Sequence, residues 1–475
     1  MGCHRLRFLG GLSLVPAWYE KIAIVIPAAR LQATVDLLEA VVSSPRPADG
    51  TASEFFRARR YIGSKDRRFI ADDVWSLLRT WARISWWIRR LHSQLGLPGE
   101  APEWSDVPPR LRVLAHRVLV AGYSLSDLDL LCSGDKFCPH RLREREKALI
   151  RALRGQRLTH SDQPDWVQGE VPEWIIPDLA ACYGDRVMPL LEALNREAPV
   201  DVRVNSLKAD VAEGIARLES EGITVRPGLL SPLSLRLEGR ANLPATETFR
   251  EGLVEVQDEG SQLVGLLVDA RPGMAVVDFC AGAGGKTLAM AAGMENKGRL
   301  IACDVSQGRL ERSAVRLRRA GVHNVTRHVL SGERDKWVKR SAGRFDRVLI
   351  DAPCSGTGTW RRNPDARWRL DRQSVQALDE LQGHILDSAS RLVRPGGRVV
   401  YATCSLLPQE NEARIERFLA SSPDFRVLDV RTLWPDLVGT SPCPATGLFL
   451  RLDPLEHDTD GFFVAVLERA EPSGA

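Results

Sequence analysis

The chain has 475 residues, 44% of them hydrophobic and 27% charged, which is enough for two or three folded domains and argues against a disordered protein. A net charge of +4 is too small to indicate a binding partner, so the distribution of the charges matters more than their sum. Nine cysteines at irregular spacing argue against a disulfide framework and indicate reduced thiols in a cytoplasmic protein.

The first 27 residues are partly basic and apolar, but charged residues and a proline divide the apolar run. We interpret them as a short extension, with a poor signal peptide as the alternative. No run in the chain approaches the roughly 18–20 apolar residues that a membrane-spanning helix requires. No association with a membrane is therefore expected.

Residues 28–95 have a helical pattern of apolar residues, with a break rich in proline and glycine at 45–50. The pattern predicts one helix before the break and two after it, over 55–61 and 67–95. Between residues 54 and 90, ten Lys and Arg outnumber four acids, which suits an RNA-binding surface and an ordinary solvated face equally well. Four tryptophans are predicted to lie in the core of these helices: Trp75, Trp81, Trp86 and Trp87.

Residues 96–165 are less regular and include a predicted basic helix over 141–154. Cys132, Cys138 and His140 lie close together, but one pair of cysteines separated by five residues is poor spacing for zinc. We therefore expect no metal.

Residues 172–262 change to a mixed α/β pattern, which predicts a small separate domain. Its predicted elements are a helix over 174–194, a strand over 201–208, a helix over 209–221, short strands near 223–237 and a connecting segment over 251–258.

A glycine-rich loop then follows a short apolar strand, Ala275 to Phe279, and precedes a helix from Thr287. Strand, glycine loop and helix in this order are typical of the front edge of a doubly wound sheet, where a nucleotide-like ligand lies against the backbone. A Walker loop would need a glycine in place of Cys280, so a P-loop nucleotidase is excluded. The dinucleotide-binding motif does not fit either, because its third glycine falls on Thr287. A ligand with a nucleoside but no phosphate chain fits better, and S-adenosylmethionine is the common one.

After this loop, strands and helices alternate as in a doubly wound sheet. Asp304 ends the second strand, where an acid accepts hydrogen bonds from a ribose, although it can also cap the helix that begins near Ser306. With 275–279 the predicted strands number seven, the count of the common S-adenosylmethionine-dependent methyltransferase fold; the others are 299–303, 325–330, 345–350, 398–403, 425–430 and 462–468. The predicted helices are 306–320, 372–393 and 409–420.

Two cysteines follow neighbouring predicted strands, Cys354 after Asp351-Ala-Pro and Cys404 within Tyr401-Ala-Thr-Cys-Ser405. Because the carboxyl ends of parallel strands meet at one edge, both thiols should lie beside the glycine loop. A thiolate beside a methyl donor suits methylation of carbon 5 of a pyrimidine, since its addition to carbon 6 makes carbon 5 nucleophilic. Asp351 can hydrogen-bond the ring or contact the cofactor, and the target base has to leave any stack. The residues alone do not say which thiol attacks.

These motifs resemble the Nop/Sun family of RNA cytosine-5 methyltransferases over about 172–469. The helical N-terminal part resembles, more loosely, the NusB-like RNA-binding domain of the family's RsmB branch, which acts on small-subunit ribosomal RNA. The resemblance implies an α/β fold in which a seven-stranded Rossmann-like methyltransferase domain follows a small α/β domain and an all-helical NusB-like domain. These domains are expected over 263–470, 172–262 and 28–165, respectively. The motifs are Cys-Ala-Gly-Ala-Gly-Gly-Lys-Thr, Asp-Ala-Pro-Cys-Ser-Gly-Thr-Gly and Tyr-Ala-Thr-Cys-Ser with a following Glu-Asn-Glu, together with Arg203-Val-Asn-Ser-Leu-Lys208, Val256-Gln-Asp258 and Asp460-Gly-Phe-Phe463.

The resemblance also implies roles for individual residues. Cys404 would be the nucleophile, Cys354 would release the product, and Lys286 would order the active site. RNA would be the partner and S-adenosylmethionine the cofactor, and nothing in the sequence points away from a monomer. The family's acid after the third strand is replaced here by Ser-Gly-Glu-Arg-Asp, so an adenine contact by Glu333 or Asp335 stays open. The cofactor would contact Cys280, Ala281, Gly282, Ala283, Gly284, Gly285, Lys286, Asp304 and Asp351.

The segment from Trp360 to Arg369 interleaves arginines with tryptophans, which suits phosphate contacts and base stacking. The arginines between 309 and 319 are interpreted as solvating a helix. One alternative function is a transfer RNA cytosine-5 methyltransferase, against which the helical N-terminal domain argues mildly. Another is a non-catalytic RNA-binding assembly factor on a methyltransferase scaffold, against which the intact cysteines argue.

Overall fold

The computed structural model describes residues 27–96, 100, 102–104 and 106–471, and the chain divides into two compact units after Gln163. The extension expected over the first 27 residues thus lies outside the described residues, apart from Pro27. Within the described part of the chain, no helix is both long and apolar enough to cross a membrane.

The first unit is entirely helical where it is described. The predicted helix over 67–95 is two helices, because the backbone of Thr80 leaves the helical conformation (φ −122°, ψ 19°), while its hydroxyl donates to the carbonyls of Ser76 and Leu77. Trp87 is buried and the other three tryptophans pack against the same core, which confirms their predicted location. The helices are α1 Pro27–Ser43, α2 Ala48–Ala58, α3 Ser64–Leu78, α4 Trp81–Gln94, α5 Pro109–Leu119, α6 Leu125–Leu131 and α7 Glu144–Leu153.

The second unit begins with three short helices, α8 Asp165–Gln168, α9 Ile176–Tyr183 and α10 Val187–Asn195. The single helix expected over 174–194 is broken at Gly184, whose φ of 52° does not continue a helix.

A small antiparallel sheet of order β2-β3-β1-β4 follows, and the helices α11 and α12 pack against it. The strand expected over 201–208 ends at Val204, because the Asn205 side chain accepts from the Leu207 N–H and turns the chain. Part of the expected connecting segment over 251–258 is itself a strand. The elements are β1 Asp201–Val204, α11 Val211–Ser220, β2 Val225–Pro227, β3 Ser234–Leu237, α12 Glu247–Arg250, β4 Val254–Val256 and α13 Glu259–Leu267.

The remaining strands form one mixed sheet in the order β10-β12-β9-β8-β5-β6-β7, with β11 paired to β12. All seven predicted strands belong to it, which confirms the α/β fold class, and β11 is an eighth strand that the pattern does not predict. The elements are β5 Ala275–Asp278, α14 Gly285–Gly293, β6 Arg299–Asp304, α15 Gln307–Ala320, β7 Val325–Val329, α16 Lys336–Arg340, β8 Phe345–Asp351, α17 Arg372–Ala389, β9 Val393–Thr403, α18 Glu412–Ser421, β10 Phe425–Leu428, α19 Val430–Leu437, β11 Leu450–Leu452 and β12 Phe462–Arg469.

Both faces of this sheet are buried, since successive side chains of a strand point to opposite faces. Val276 and Leu349 pack with α13, α14 and α19, whereas Val277 and Ile350 pack with α17 and α18. The parallel strands β5, β6, β8 and β9 therefore offer functional groups only at their last residues and in the segments that follow. Asp351 pairs with Ala402 between β8 and β9, which brings the segments after both strands to one edge.

Candidate active site

A cavity of about 760 Å³ opens at the carboxyl ends of β5, β6, β8 and β9. Its volume suits a small-molecule ligand. Two groups of segments flank the cavity. We call residues 278–287 together with Asp304 the cofactor wall, and the two loops 351–357 and 404–411, which reach the cavity through residues 351–354 and Cys404, the thiol wall. The predicted residues that line the cavity are Cys280, Ala281, Gly282, Ala283, Gly285, Lys286, Asp304, Asp351, Cys354 and Cys404.

Gly284 does not line the cavity, but it shapes the loop that does. Its φ of 85° lies in the left-handed region just before α14. A Cβ at this position would come within 2.9 Å of the Ser313 Cβ. Gly284 therefore lets the loop pack tightly against α15.

Asp304 is buried and fixed by two backbone groups. Its Oδ2 accepts from the Gly282 N–H at 2.8 Å, and its Oδ1 accepts from the Ser306 N–H at 2.7 Å. Ser306, not Asp304, caps α15, because the Ser306 hydroxyl accepts from Arg309 N–H. The alternative interpretation of Asp304 as the helix cap is thus wrong, and the carboxylate instead links β6 to the glycine loop.

Asp278, the last residue of β5, was not singled out from the sequence. It is fully buried in the cofactor wall, where burial raises its pKa to about 7; Asp351 and Asp304 add to this effect, while Thr287 and Lys286 oppose it. Its Oδ2 accepts from the Thr287 hydroxyl at 2.6 Å. Its buried Oδ1 has no hydrogen-bond partner among the described residues, so it is available to a donor on a ligand.

Lys286 connects the two walls of the cavity. Its Nζ donates to Asp351 Oδ2 at 2.7 Å and lies 5.4 Å from the centre of the Phe462 ring. Burial alone would lower the pKa of Lys286, but the negative charge of Asp351 and the neighbouring Cys404 raise it overall. The ammonium group therefore stays charged beside the thiol wall.

The two cysteines of the thiol wall are in contact, with 3.4 Å between Cys354 Sγ and Cys404 Sγ. The hydrogen bond to Cys404, burial, and the neighbouring Cys404 and Glu410 raise the pKa of Cys354 well above its usual range. Cys354 accordingly keeps its proton and can donate it in a hydrogen bond to the Cys404 sulfur.

The two acids left open after the third strand have different surroundings. Asp335 accepts from the N–H groups of Ser331 and Trp337, and these backbone hydrogen bonds hold its pKa at about 2. It caps α16 and does not line the cavity. Glu333 does line the cavity, so it is the acid that lies beside the ligand space.

The segment from Trp360 to Arg369 is largely interior. Trp360 and Arg367 are fully buried, and Arg367 donates to the carbonyl of Glu170. Arg361 pairs with Asp460, and Arg362 with Asp258 and Asp460. The predicted phosphate contacts and base stacking are therefore wrong for the buried residues of this segment, because carboxylates and carbonyls already occupy their guanidinium groups.

Two arginines of α15 do more than solvate the helix, which is the only role that the sequence predicted for them. Arg316 and Arg319 both pair with Glu255 at the end of the small sheet, at 3.0 and 2.5 Å. They hold α15 to β4 as well as contacting solvent. Their exposed neighbours, Arg312 and Arg318, fit the solvating role.

Comparison with known proteins places these residues in context. The model of the 16S rRNA methyltransferase RsmB/F family matches residues 266–468, and that of the ferredoxin-like domain of RsmF/B-like methyltransferases matches residues 171–243.

Two curated relatives are similar to nearly two thirds of the chain. The chain is 36% identical to ribosomal RNA small subunit methyltransferase B of Vibrio cholerae, over 63% of this chain and 65% of that protein, which is just under two thirds of its length. It is 35% identical to the probable ribosomal RNA small subunit methyltransferase B of Synechocystis, over 64% of this chain and 68% of that protein. Among solved structures, a methyltransferase homologue from Pyrococcus horikoshii has 28% identity and a TM-score of 0.55, and covers 65% of this chain and 98% of that one.

Proposed function

The chain belongs to the RsmB/F family of 16S rRNA methyltransferases, and we propose that it methylates carbon 5 of a cytosine in small-subunit ribosomal RNA, with S-adenosylmethionine as the methyl donor. The observation that carries the proposal is the Cys354–Cys404 thiol pair, 3.4 Å apart at the wall of the ligand cavity. A methyl acceptor on oxygen or nitrogen needs no thiol, whereas carbon 5 of a pyrimidine does. We also propose that the protein acts on RNA in the cytoplasm, as a monomer.

The cofactor wall suits S-adenosylmethionine. The unpartnered Asp278 Oδ1 is an acceptor for an amino or hydroxyl donor, and the left-handed Gly282 leaves the space above the loop free of side chain. Asp304 and Glu333 are further acceptors on the cavity. When bound there, the cofactor supplies a methyl group on a positively charged sulfur.

In the proposed reaction Cys404 attacks carbon 6 of the cytosine and makes carbon 5 nucleophilic. Cys404 lies on the cavity beside the charged Lys286. Asp351 keeps one carboxylate oxygen besides the one that Lys286 occupies, and this oxygen can accept from nitrogen 3 of the ring once that nitrogen carries a proton. The cytosine has to be turned out of any base stack to reach this depth.

Cys354 has a different proposed role, because its raised pKa keeps it protonated. Once carbon 5 has accepted the methyl group and given up its proton to a base, the bond between Cys404 and carbon 6 breaks and Cys404 leaves as a thiolate. The S–H of Cys354 can then donate to the returning Cys404 sulfur and stabilise it. A variant without this donor should retain the RNA on Cys404.

The test uses the wild-type protein and the variants Cys354→Ala and Cys404→Ala, each incubated with S-adenosylmethionine and unmodified small-subunit ribosomal RNA. A denaturing gel separates protein from RNA-linked protein. We expect an RNA-linked band for Cys354→Ala and none for Cys404→Ala. The reverse pattern would overturn the assignment of roles. Methyl transfer by the wild type to transfer RNA but not to ribosomal RNA would overturn the substrate.

A further inference from the structure

A fully buried carboxylate, Glu410, lies between the two loops that carry the thiols. It is the last residue of a short helical turn, Pro408–Glu410, that precedes α18. Burial of a carboxylate is costly unless hydrogen-bond donors surround it. The identity of its donors therefore indicates what the residue does.

Donors from the first thiol loop reach both oxygens of Glu410. The Ser355 N–H donates to Oε1 at 2.9 Å, and the Ser355 hydroxyl donates to Oε2 at 2.5 Å. Ser355 directly follows Cys354, so these two bonds fix the backbone and side chain beside that thiol.

The second thiol loop and α17 supply the other donors. The Ser405 hydroxyl, next to Cys404, donates to Oε2. The Gln382 side chain donates to Oε1 at 2.8 Å and also to the carbonyl of Pro353 at 2.9 Å. Four donors from three parts of the chain thus converge on two oxygens of one side chain.

Hydrogen bonds also join the two thiol loops directly, and we call these bonds together with those to Glu410 the junction. The Gly358 N–H donates to the Cys404 carbonyl at 2.9 Å, and the Leu406 N–H donates to the Thr357 hydroxyl at 2.7 Å. The backbone carbonyl of Glu410 accepts from Tyr401 of β9 at 2.8 Å. The loop of Cys354, the loop of Cys404 and the strand between them are joined around Glu410.

We propose that Glu410 is a positioning residue that holds the Cys354 and Cys404 thiols in contact and in one orientation toward the cavity. Glu410 is absent from the cavity lining, so it acts through the serines that follow each cysteine. Its effect on methyl transfer rests on the proposed function, whereas its effect on the separation of the thiols does not.

The chemistry of the junction requires an acceptor at both oxygens. Glutamine has nearly the same shape but brings an NH₂ group, which can only donate, toward either the Ser355 N–H and Gln382 or the two serine hydroxyls. Alanine leaves all four donors without an acceptor. Glu410→Gln should therefore preserve the fold better than Glu410→Ala while loosening the junction.

Thiol oxidation measures the junction directly, without RNA or cofactor. Diamide accepts two electrons and two protons as Cys354 and Cys404 form a disulfide, and mass spectrometry of the linked peptides follows its rate. We expect Glu410→Gln to lower the rate at which the 354–404 disulfide forms by about tenfold, as for the loss of one hydrogen bond to a charged group. Glu410→Ala should lower it further.

Asp269→Asn is the matched control. Asp269 is also buried and accepts from Arg347 of β8 and Arg398 of β9. Arg347 and Arg398 lie opposite each other in the register of β8 and β9, four residues before Asp351 and Ala402. The control therefore lies roughly 13 Å along the strands from the thiol wall. Asp269→Asn should lower the unfolding temperature and leave the rate of disulfide formation unchanged.

A second readout is the steady-state methylation of ribosomal RNA. Displaced reacting groups lower kcat by up to about a hundredfold and change KM little. A wild-type rate of disulfide formation and a wild-type kcat in folded Glu410→Gln would overturn the proposal, as would an equal slowing in Asp269→Asn. If the wild type transfers no methyl group, the proposed function fails, but the oxidation rates still decide whether Glu410 holds the thiols.

Discussion

On the cofactor wall, Asp278 and Asp304 are held by the backbone or by a residue close in sequence, whereas the thiol wall is held together by residues from separate elements. Thr287 bonds to Asp278 nine residues away, and Gly282 and Asp304 are joined through a backbone N–H. The contacts between Ser355 and Glu410 and between Ser355 and Ser405 span 55 and 50 residues. The cofactor wall is thus a local motif, and the thiol wall depends on the tertiary fold.

The walls also differ in what they leave unsatisfied. The cofactor wall has an unpartnered buried acceptor, Asp278 Oδ1, which a ligand can satisfy. Each oxygen of Glu410 on the thiol wall already has two donors. Ligand binding should therefore depend on the first wall and the chemical step on the second, so variants in the two walls should have separable effects.

The largest expected effect is that of Cys404→Ala on the chemical step. Removal of the proposed nucleophile should lower methyl transfer to ribosomal RNA by roughly 10⁴-fold or more. Affinity for S-adenosylmethionine, measured by calorimetry, should stay at the wild-type value because the cofactor wall is unchanged. A variant that retains fast methyl transfer would remove Cys404 from the reaction.

A smaller loss is expected for Lys286→Met, which removes the contact between the walls. Asp351 loses its cationic partner, and the charge near Cys404 disappears. We expect kcat to fall by about a hundredfold, with a weaker effect on cofactor affinity. Lys286→Arg, which keeps the charge, should retain more of kcat than Lys286→Met. A wild-type kcat in Lys286→Met would show that the Lys286–Asp351 contact is not needed.

Asp278→Asn tests the unsatisfied acceptor through pH. The folded-state pKa of Asp278 is raised from 3.8 to about 7, so folding favours the protonated carboxyl group. The wild type is therefore most stable at low pH, where Asp278 is protonated, and loses free energy of unfolding as the pH rises toward 7. Between about pH 5 and 8, the cofactor-free variant should gain roughly 2–3 kcal/mol of unfolding free energy relative to the wild type. Denaturant unfolding at both pH values measures this, and a difference that does not depend on pH would contradict it.

The smallest effect is expected for Asp335→Ala, compared with Glu333→Gln. Asp335 caps α16 outside the cavity, so its loss should cost about 1 kcal/mol of stability and leave cofactor affinity unchanged. Glu333→Gln should do the opposite, lowering cofactor affinity with little change in the unfolding temperature. If instead Asp335→Ala lowered cofactor affinity and Glu333→Gln lowered only stability, the ligand contact would belong to Asp335.

The difference between the walls also explains what could be predicted from the sequence. The glycine loop and the ends of β8 and β9 follow from short patterns, because strand, loop and helix are consecutive and parallel strands end at one edge. Asp278 has a detectable signal, an acid that ends a buried strand directly before the glycine loop. Its raised pKa follows only from burial.

Features that depend on distant partners could not be predicted in this way. The arginines between Trp360 and Arg369 have the composition of an RNA-binding loop, and only Asp258 and Asp460 show that two of them are ion-paired in the interior. The role of Glu410 depends on donors from three elements. The short strand β11 is too brief to have a pattern of its own and exists because it pairs with β12.

The most direct test of the central claim is to map the covalent link between wild-type protein and RNA. The substrate is small-subunit ribosomal RNA in which fluorine replaces the hydrogen on carbon 5 of cytosine, because fluorine cannot leave as a cation and the thiol stays attached. After digestion, mass spectrometry should find the methylated fluorocytidine on the peptide that contains Cys404. The same nucleotide on the Cys354 peptide, or methylated RNA with no linked peptide at all, would contradict the account.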